Sequence, residues 1–169
     1  MSEAALPSPR GMLGPENAQA ARLIALLLPL GLLGGALGSQ YFGGLHPCEM
    51  CYWQRWPHGA AVLLAAGAFT APASSSRSRT LTLLAALAIA VSGAIGVYHA
   101  GVEAGVFQGF TTCTASGAMS FEDLMKVPLV RCDQVQWSLF GISMAGWNAI
   151  LSLGGAALIL VLLAKARRA

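Results

Sequence analysis

Charged side chains are scarce in this chain. Aspartate, glutamate, lysine and arginine make up 10% of its 169 residues, and hydrophobic residues make up 56%. An average soluble domain is roughly 25% charged. A disordered chain is excluded, because disorder needs low hydrophobicity and high charge. A basic stripe is also missing. The net charge of +3 comes from scattered residues, which argues against a nucleic-acid partner. The length suits one domain, and the composition points to a small polytopic membrane protein.

Four stretches lack charge altogether: 23–42, 57–73, 81–102 and 141–164. A bilayer span needs about 20 mostly apolar residues. The second stretch is the shortest and reaches span length only by borrowing residues 51–56. The last two also lack proline. Pro29 in the first is tolerable, because membrane helices accept a kink where neighbours resatisfy the backbone. The first stretch is read as a span rather than a cleaved signal peptide, because its apolar run exceeds the usual 7–15 residues. Gly31/Gly35, Gly34/Gly38 and Ser92/Gly96 are small-xxx-small pairs, which let helix backbones approach closely. Packing within the bundle is the expected use of all three pairs.

Positive charge sets the orientation. Arg10, Arg22, Arg77, Arg79, Lys165, Arg167 and Arg168 fall on one side of the four spans. Only Arg55, Lys126 and Arg131 fall on the other. The positive-inside rule therefore places both termini and the 74–80 loop in the cytoplasm. The expected fold is an all-α membrane protein, a four-transmembrane-helix bundle with residues 1–20 as a cytoplasmic tail and 21–169 as the membrane domain. Loops 43–56 and 103–140 face outward. In the second, Ser120-Phe-Glu-Asp123 matches a capping box, and Phe121, Leu124 and Met125 predict a short amphipathic helix.

The four cysteines all lie in the outward loops. Cys48-Glu-Met-Cys51 is a CxxC, which closes a loop too small to gain much as a staple. Such pairs are common where thiol pKa is tuned for exchange. The pair sits where the second helix should begin, and a helix N-terminus favours a thiolate. Arg55 lies one turn beyond Cys51 and shares its face; its cation would favour the thiolate further or hold a ligand carbonyl. Cys113 and Cys132 stand far apart in a long polar loop. That suits either a mobile relay disulfide or a static staple. Four cysteines allow three connectivities, and sequence does not choose among them. The spacing is a poor match to zinc knuckles, and no metal is expected. His46 and His58 flank the CxxC. His99 ends the third span, with Glu103 one turn later; a surface or interfacial hydrogen bond is its simplest role, and a proton or hydrogen bond to a ligand near Arg55 its functional one. The tryptophans and tyrosines fit an interfacial aromatic belt.

These residues carry a resemblance. Pro-Cys48-Glu-Met-Cys51-Tyr-Trp-Gln-Arg55, Tyr98-His99-Ala-Gly-Val-Glu103, Thr-Thr-Cys113 and Arg-Cys132-Asp-Gln-Val-Gln-Trp137-Ser-Leu-Phe-Gly141-Ile-Ser-Met-Ala-Gly-Trp147-Asn148 together resemble the DsbB family, the disulfide bond formation proteins of bacterial inner membranes. The resemblance implies a thiol:quinone oxidoreductase that reoxidises a periplasmic DsbA-type oxidase of thioredoxin fold. Electrons would pass through two cysteine pairs to ubiquinone or menaquinone. Cys113 would be attacked by the partner, with Cys132 as its mate. Cys48–Cys51 would then take the electrons, with Cys51 facing the quinone, Arg55 beside it and His99 near it. The outward loops would be periplasmic. A vitamin K epoxide reductase-like enzyme would carry its CxxC late in the bundle rather than at the second span. A non-catalytic scaffold with stapled loops is the remaining alternative; it predicts that the CxxC and Arg55 are replaceable.

Overall fold

The computed structural model describes residues 9–109 and 130–168. Cys113 and the short helix expected around 120–125 lie outside the described residues. Four helices dominate: α1 (Pro9–Tyr41), α2 (Glu49–Ala68), α3 (Ser76–Glu103) and α4 (Met144–Arg168). A two-stranded hairpin, β1 (Ser138–Leu139) and β2 (Ile142–Ser143), precedes α4. Each helix packs mainly on its two neighbours in a ring, with α1 against α2 and α4, and α3 against the same two. The diagonal α1–α3 contact is slight.

Three of these helices, over Gly14–Tyr41, Ser76–Glu103 and Met144–Arg167, are long and apolar enough to cross a membrane. That is consistent with a multi-pass membrane protein. The packing has the matching character. The core is built from small residues: Ala21, Ala25, Ala61, Ala65, Ala85, Ala86 and Ala156 surround Ile89 and Ile159. Large side chains such as Leu27, Leu63 and Leu87 point outward. In water the larger apolar residues would be inside. Where the surroundings are as apolar as leucine, helices associate through close backbone approach instead.

The small-residue pairs divide between two uses. Ser92 and Gly96 are buried. A Cβ on Gly96 would lie 3.0 Å from both the Ala145 carbonyl oxygen and Asn148 Nδ2, so glycine here allows α3 to meet α4. The α1 glycines do not pack within the bundle as expected. Gly31, Gly34 and Gly35 are exposed, and a Cβ on any of them, or on Gly38, would meet nothing within 4 Å. The motif specifies closeness, not the direction the face turns.

Helix boundaries shift where chemistry overrides hydropathy. The second helix begins at Glu49, at the CxxC as expected and eight residues ahead of the charge-free stretch, and stops at Ala68 rather than 73. Its start is fixed by Cys48, an extended N-cap whose sulfur accepts from the Cys51 amide at 3.4 Å. Pro57 thus falls inside the helix. Residues 141–143, expected in the fourth span, belong to the hairpin. Phe140 and Gly141 both have positive φ, 53° and 77°, the conformation a tight two-residue hairpin turn requires. Helix α1 already begins at Pro9 and runs through Pro29 without interruption.

Candidate functional site

The chemistry-bearing residues converge at one end of the bundle. Cys48 caps α2, and Cys51 lies on its first turn. Their sulfurs are 3.1 Å apart. Cys132 follows the undescribed loop segment yet packs on the same spot: Cys48, Met50, Val102 and Cys132 form a buried cluster, with Cys51, Tyr98 and Val130 against it. Loop and helix cysteines expected from the sequence to belong to separate pairs are therefore neighbours.

Proton placement within the pair is unequal. The hydrogen bond with the Cys51 sulfur, reinforced by burial, holds the Cys48 thiol well above its ordinary value. Cys48 is the member of the pair that resists deprotonation. Four amides at a helix start have no intrahelical carbonyl partner. Cys51 sits among them, where negative charge is stabilised.

Behind the sulfurs runs a buried polar chain across three helices. Cys48 Sγ lies 3.5 Å from His99 Nε2. His99 Nδ1 pairs with Gln54 Nε2 at 2.8 Å. Gln54 Oε1 accepts from Asn148 Nδ2 at 2.7 Å. Asn148 Oδ1 pairs with His58 Nε2 and accepts from Ser152 Oγ, both at 2.9 Å. Ser92 donates to the Gln54 carbonyl at 2.8 Å. His99 is therefore a core residue, 3% exposed, rather than the surface or interfacial group its position at the helix end suggested. Its role as a hydrogen-bond former holds.

Arg55 faces α1 as well as the sulfurs. Its guanidinium donates to the Ala36 carbonyl at 3.1 Å and to Gln40 Oε1, and stands 5.2 Å from the Tyr52 ring centroid. Planar and permanently charged, it keeps further N–H donors for a ligand.

A cavity of about 100 Å³ opens beside this chain. That is of the same order as the ~150 Å³ cavities that hold a benzene ring. Leu32, Leu33 and Ala36 of α1 form its apolar wall; Cys48, Cys51, Arg55, His58, His99 and Asn148 form the reactive wall. A flat, apolar ring with polar oxygens fits such a lining.

A family model for disulfide bond formation protein DsbB matches residues 18–162. The chain belongs to the DsbB family. Two relatives, each named disulfide bond formation protein B, show the depth of the likeness. The one from Xanthomonas oryzae pv. oryzae (strain MAFF 311018) is 28% identical over 155 residues, covering 86% of this chain and 90% of its own length. The one from Chromohalobacter salexigens is 31% identical over 152 residues, covering 82% and 84%. No solved structure matches the chain. DsbB membership assigns the protein to disulfide bond formation, and its site to thiol oxidoreduction.

The structure brings Cys48, Cys51, Cys132, Arg55 and His99 together; Cys113 is outside the described residues. Sulfurs and imidazole also come within 4.8 Å of one another, as metal ligands would. However, His99 Nδ1 accepts from an amide whose nitrogen is fixed by the Met50 carbonyl at 3.1 Å. Neutral His99 therefore carries its hydrogen on Nε2, the atom facing the sulfurs, and lacks the lone pair a metal needs. Gln54, Asn148 and Ser152 carry no role in the sequence reading, and Ser92 only that of a small packing residue. Their signal was the pairing Gln54/His58 and Asn148/Ser152, each i,i+4 in an apolar helix, since polar groups so placed turn toward a common interior.

Proposed function

We propose that this chain is a membrane thiol:quinone oxidoreductase that reoxidises a periplasmic DsbA-type oxidase. The observation that carries the reading is the Cys48–Cys51 pair standing between Cys132 on one side and an apolar cavity with Arg55 on the other. Helix α2 serves as the fourth span. Its 20 residues rise about 30 Å, the thickness of a bilayer core, although Glu49, Gln54, Arg55 and His58 lower its hydropathy. Both termini are cytoplasmic, residues 1–20 precede the membrane domain, and the cysteine loops face the periplasm of an inner membrane.

In this reading Cys113 and Cys132 form the relay disulfide. The partner's thiolate attacks Cys113, and the partner leaves oxidised while Cys113 and Cys132 become thiols. Cys132 lies against Cys48, so exchange passes the disulfide deficit to the α2 pair without a large loop excursion. Cys48 and Cys51 then rejoin by losing two electrons and two protons. Ubiquinone or menaquinone bound in the cavity supplies the two-electron, two-proton acceptor. Arg55 binds a ring oxygen, and His99, held by Gln54, directs its Nε2 hydrogen toward the buried cysteine cluster.

The test mixes purified chain in detergent with reduced DsbA-type protein and ubiquinone, following thiol loss and quinone reduction together. One quinone reduced per dithiol oxidised supports the relay. No turnover with either quinone type, with thiols intact, removes it and advances the scaffold reading. Arg55→Met is expected to raise the ubiquinone concentration for half-maximal rate by about 10- to 100-fold, because a hydrogen bond from a charged donor is lost. Unchanged half-saturation in this variant would remove Arg55 from the ligand's contacts.

A further inference from the structure

His58 has no task in the thiol relay, yet it is built into the same wall. It is 3% exposed and lines the cavity with Arg55. The two stand three positions apart on α2, a rise of about 4.5 Å. Among the described residues, His58 Nδ1 is one of two buried side-chain atoms with no hydrogen-bond partner; the other is Glu103 Oε2. Buried polar atoms are almost always paired, so an orphan on a side chain that lines a cavity marks a place where something else can supply the partner.

Two backbone carbonyls decide what that partner must be. The Met50 carbonyl can only accept, so the Gln54 atom 3.1 Å from it is the amide nitrogen. The Ser92 carbonyl, 3.2 Å from Asn148, fixes the Asn148 nitrogen in the same way. Gln54 Oε1 then accepts from Asn148, and Asn148 Oδ1 is left to accept from His58 Nε2. The ring hydrogen of neutral His58 is therefore on Nε2, and Nδ1 presents a bare lone pair. A ligand there must bring an O–H or N–H.

The two forms of a quinone differ in this respect. Quinone oxygens only accept. When Cys48 and Cys51 close their S–S bond, two S–H bonds break, and the two electrons and two protons convert both ring oxygens to hydroxyls. We propose that His58 Nδ1 accepts a hydrogen bond from a ring hydroxyl of the hydroquinone. Arg55, a donor only, suits the oxidised ligand, and His58, an acceptor, suits the reduced one. Adjacent turns of one helix thus offer opposite hydrogen-bond polarity to substrate and product. The assignment rests on the quinone reading given above.

The test titrates full-length chain in detergent, with its cysteines oxidised, calorimetrically against short-chain ubiquinone and ubiquinol. His58→Gln keeps a donor for Asn148 and lacks the Nδ1 acceptor. His58→Asn places an acceptor near the Nδ1 position. His58→Gln is expected to weaken ubiquinol binding about tenfold with ubiquinone binding within about twofold, while His58→Asn retains most ubiquinol affinity. Wild-type ubiquinol affinity in His58→Gln overturns the proposal. Equal losses for both ligand forms, or in both variants, also overturn it, because that pattern is a packing defect. If wild-type chain binds neither form, the quinone reading itself fails and takes the proposal with it.

Discussion

Cys51→Ser is expected to lower coupled thiol oxidation by at least about a thousandfold, and to leave the chain folded. The pair works as a unit, so deletion of one sulfur removes the function of both. Serine keeps the size of the side chain and the α2 start, whose cap is Cys48. The residual chemistry should be diagnostic. Cys48 remains beside Cys132 in the buried cluster without its usual partner. A persistent Cys48–Cys132 disulfide should therefore accumulate after exposure to the oxidised partner, visible by mass spectrometry of non-reduced peptides. Full turnover in Cys51→Ser would mean that the CxxC is not the terminal pair.

Asn148→Leu should produce the largest loss of stability. One amide joins α2, α3 and α4 through Gln54, Ser92, His58 and Ser152. Interhelical hydrogen bonds in membrane proteins average only about 0.6 kcal/mol when both partners can find substitutes. Leucine denies most of that escape, because Gln54 Oε1 stays buried without its donor and His58 Nε2 keeps only the Ser152 hydroxyl, 3.5 Å away, at roughly 1–3 kcal/mol each. A destabilisation of about 2–4 kcal/mol follows, or a fall in apparent Tm of roughly 5–15 °C in detergent. Adding Gln54→Leu should cost less than the sum of the two single changes, since both act on one network. An unchanged Tm in Asn148→Leu would show that the network carries no load.

Much of this was legible in the sequence, for specific physical reasons. Charge-free runs revealed the α1, α3 and α4 helices, because an apolar stretch of that length has few other uses. The start of α2 was legible from the CxxC rather than from hydropathy. Its polar residues, Glu49, Gln54, Arg55 and His58, hide it from hydropathy, and the last three line the site. Cysteine spacing marked Cys48 and Cys51 as reactive, but no spacing could bring Cys132 beside Cys48. The α1 glycines signalled close approach, and the structure turns them outward. Asn148 stood in a recognisable motif without a role, because its partners lie on two other helices and have no sequence proximity to it.

The two arginines that tie α1 to α2 and the residues just beyond it have a mechanical consequence. At one end Arg22 holds the Ala71 carbonyl beyond α2 at 3.0 Å and stacks on Phe69. At the other, Arg55 of α2 holds the Ala36 carbonyl of α1. Between these two rivets lies Pro29, which cannot donate the backbone bond its turn would otherwise have. A beam fixed at both ends and notched at mid-length flexes in the middle. Leu32 and Leu33, the apolar wall of the cavity, lie just past that notch, so the wall can bow outward to admit a bulky ligand while the ends of α1 keep their register on α2.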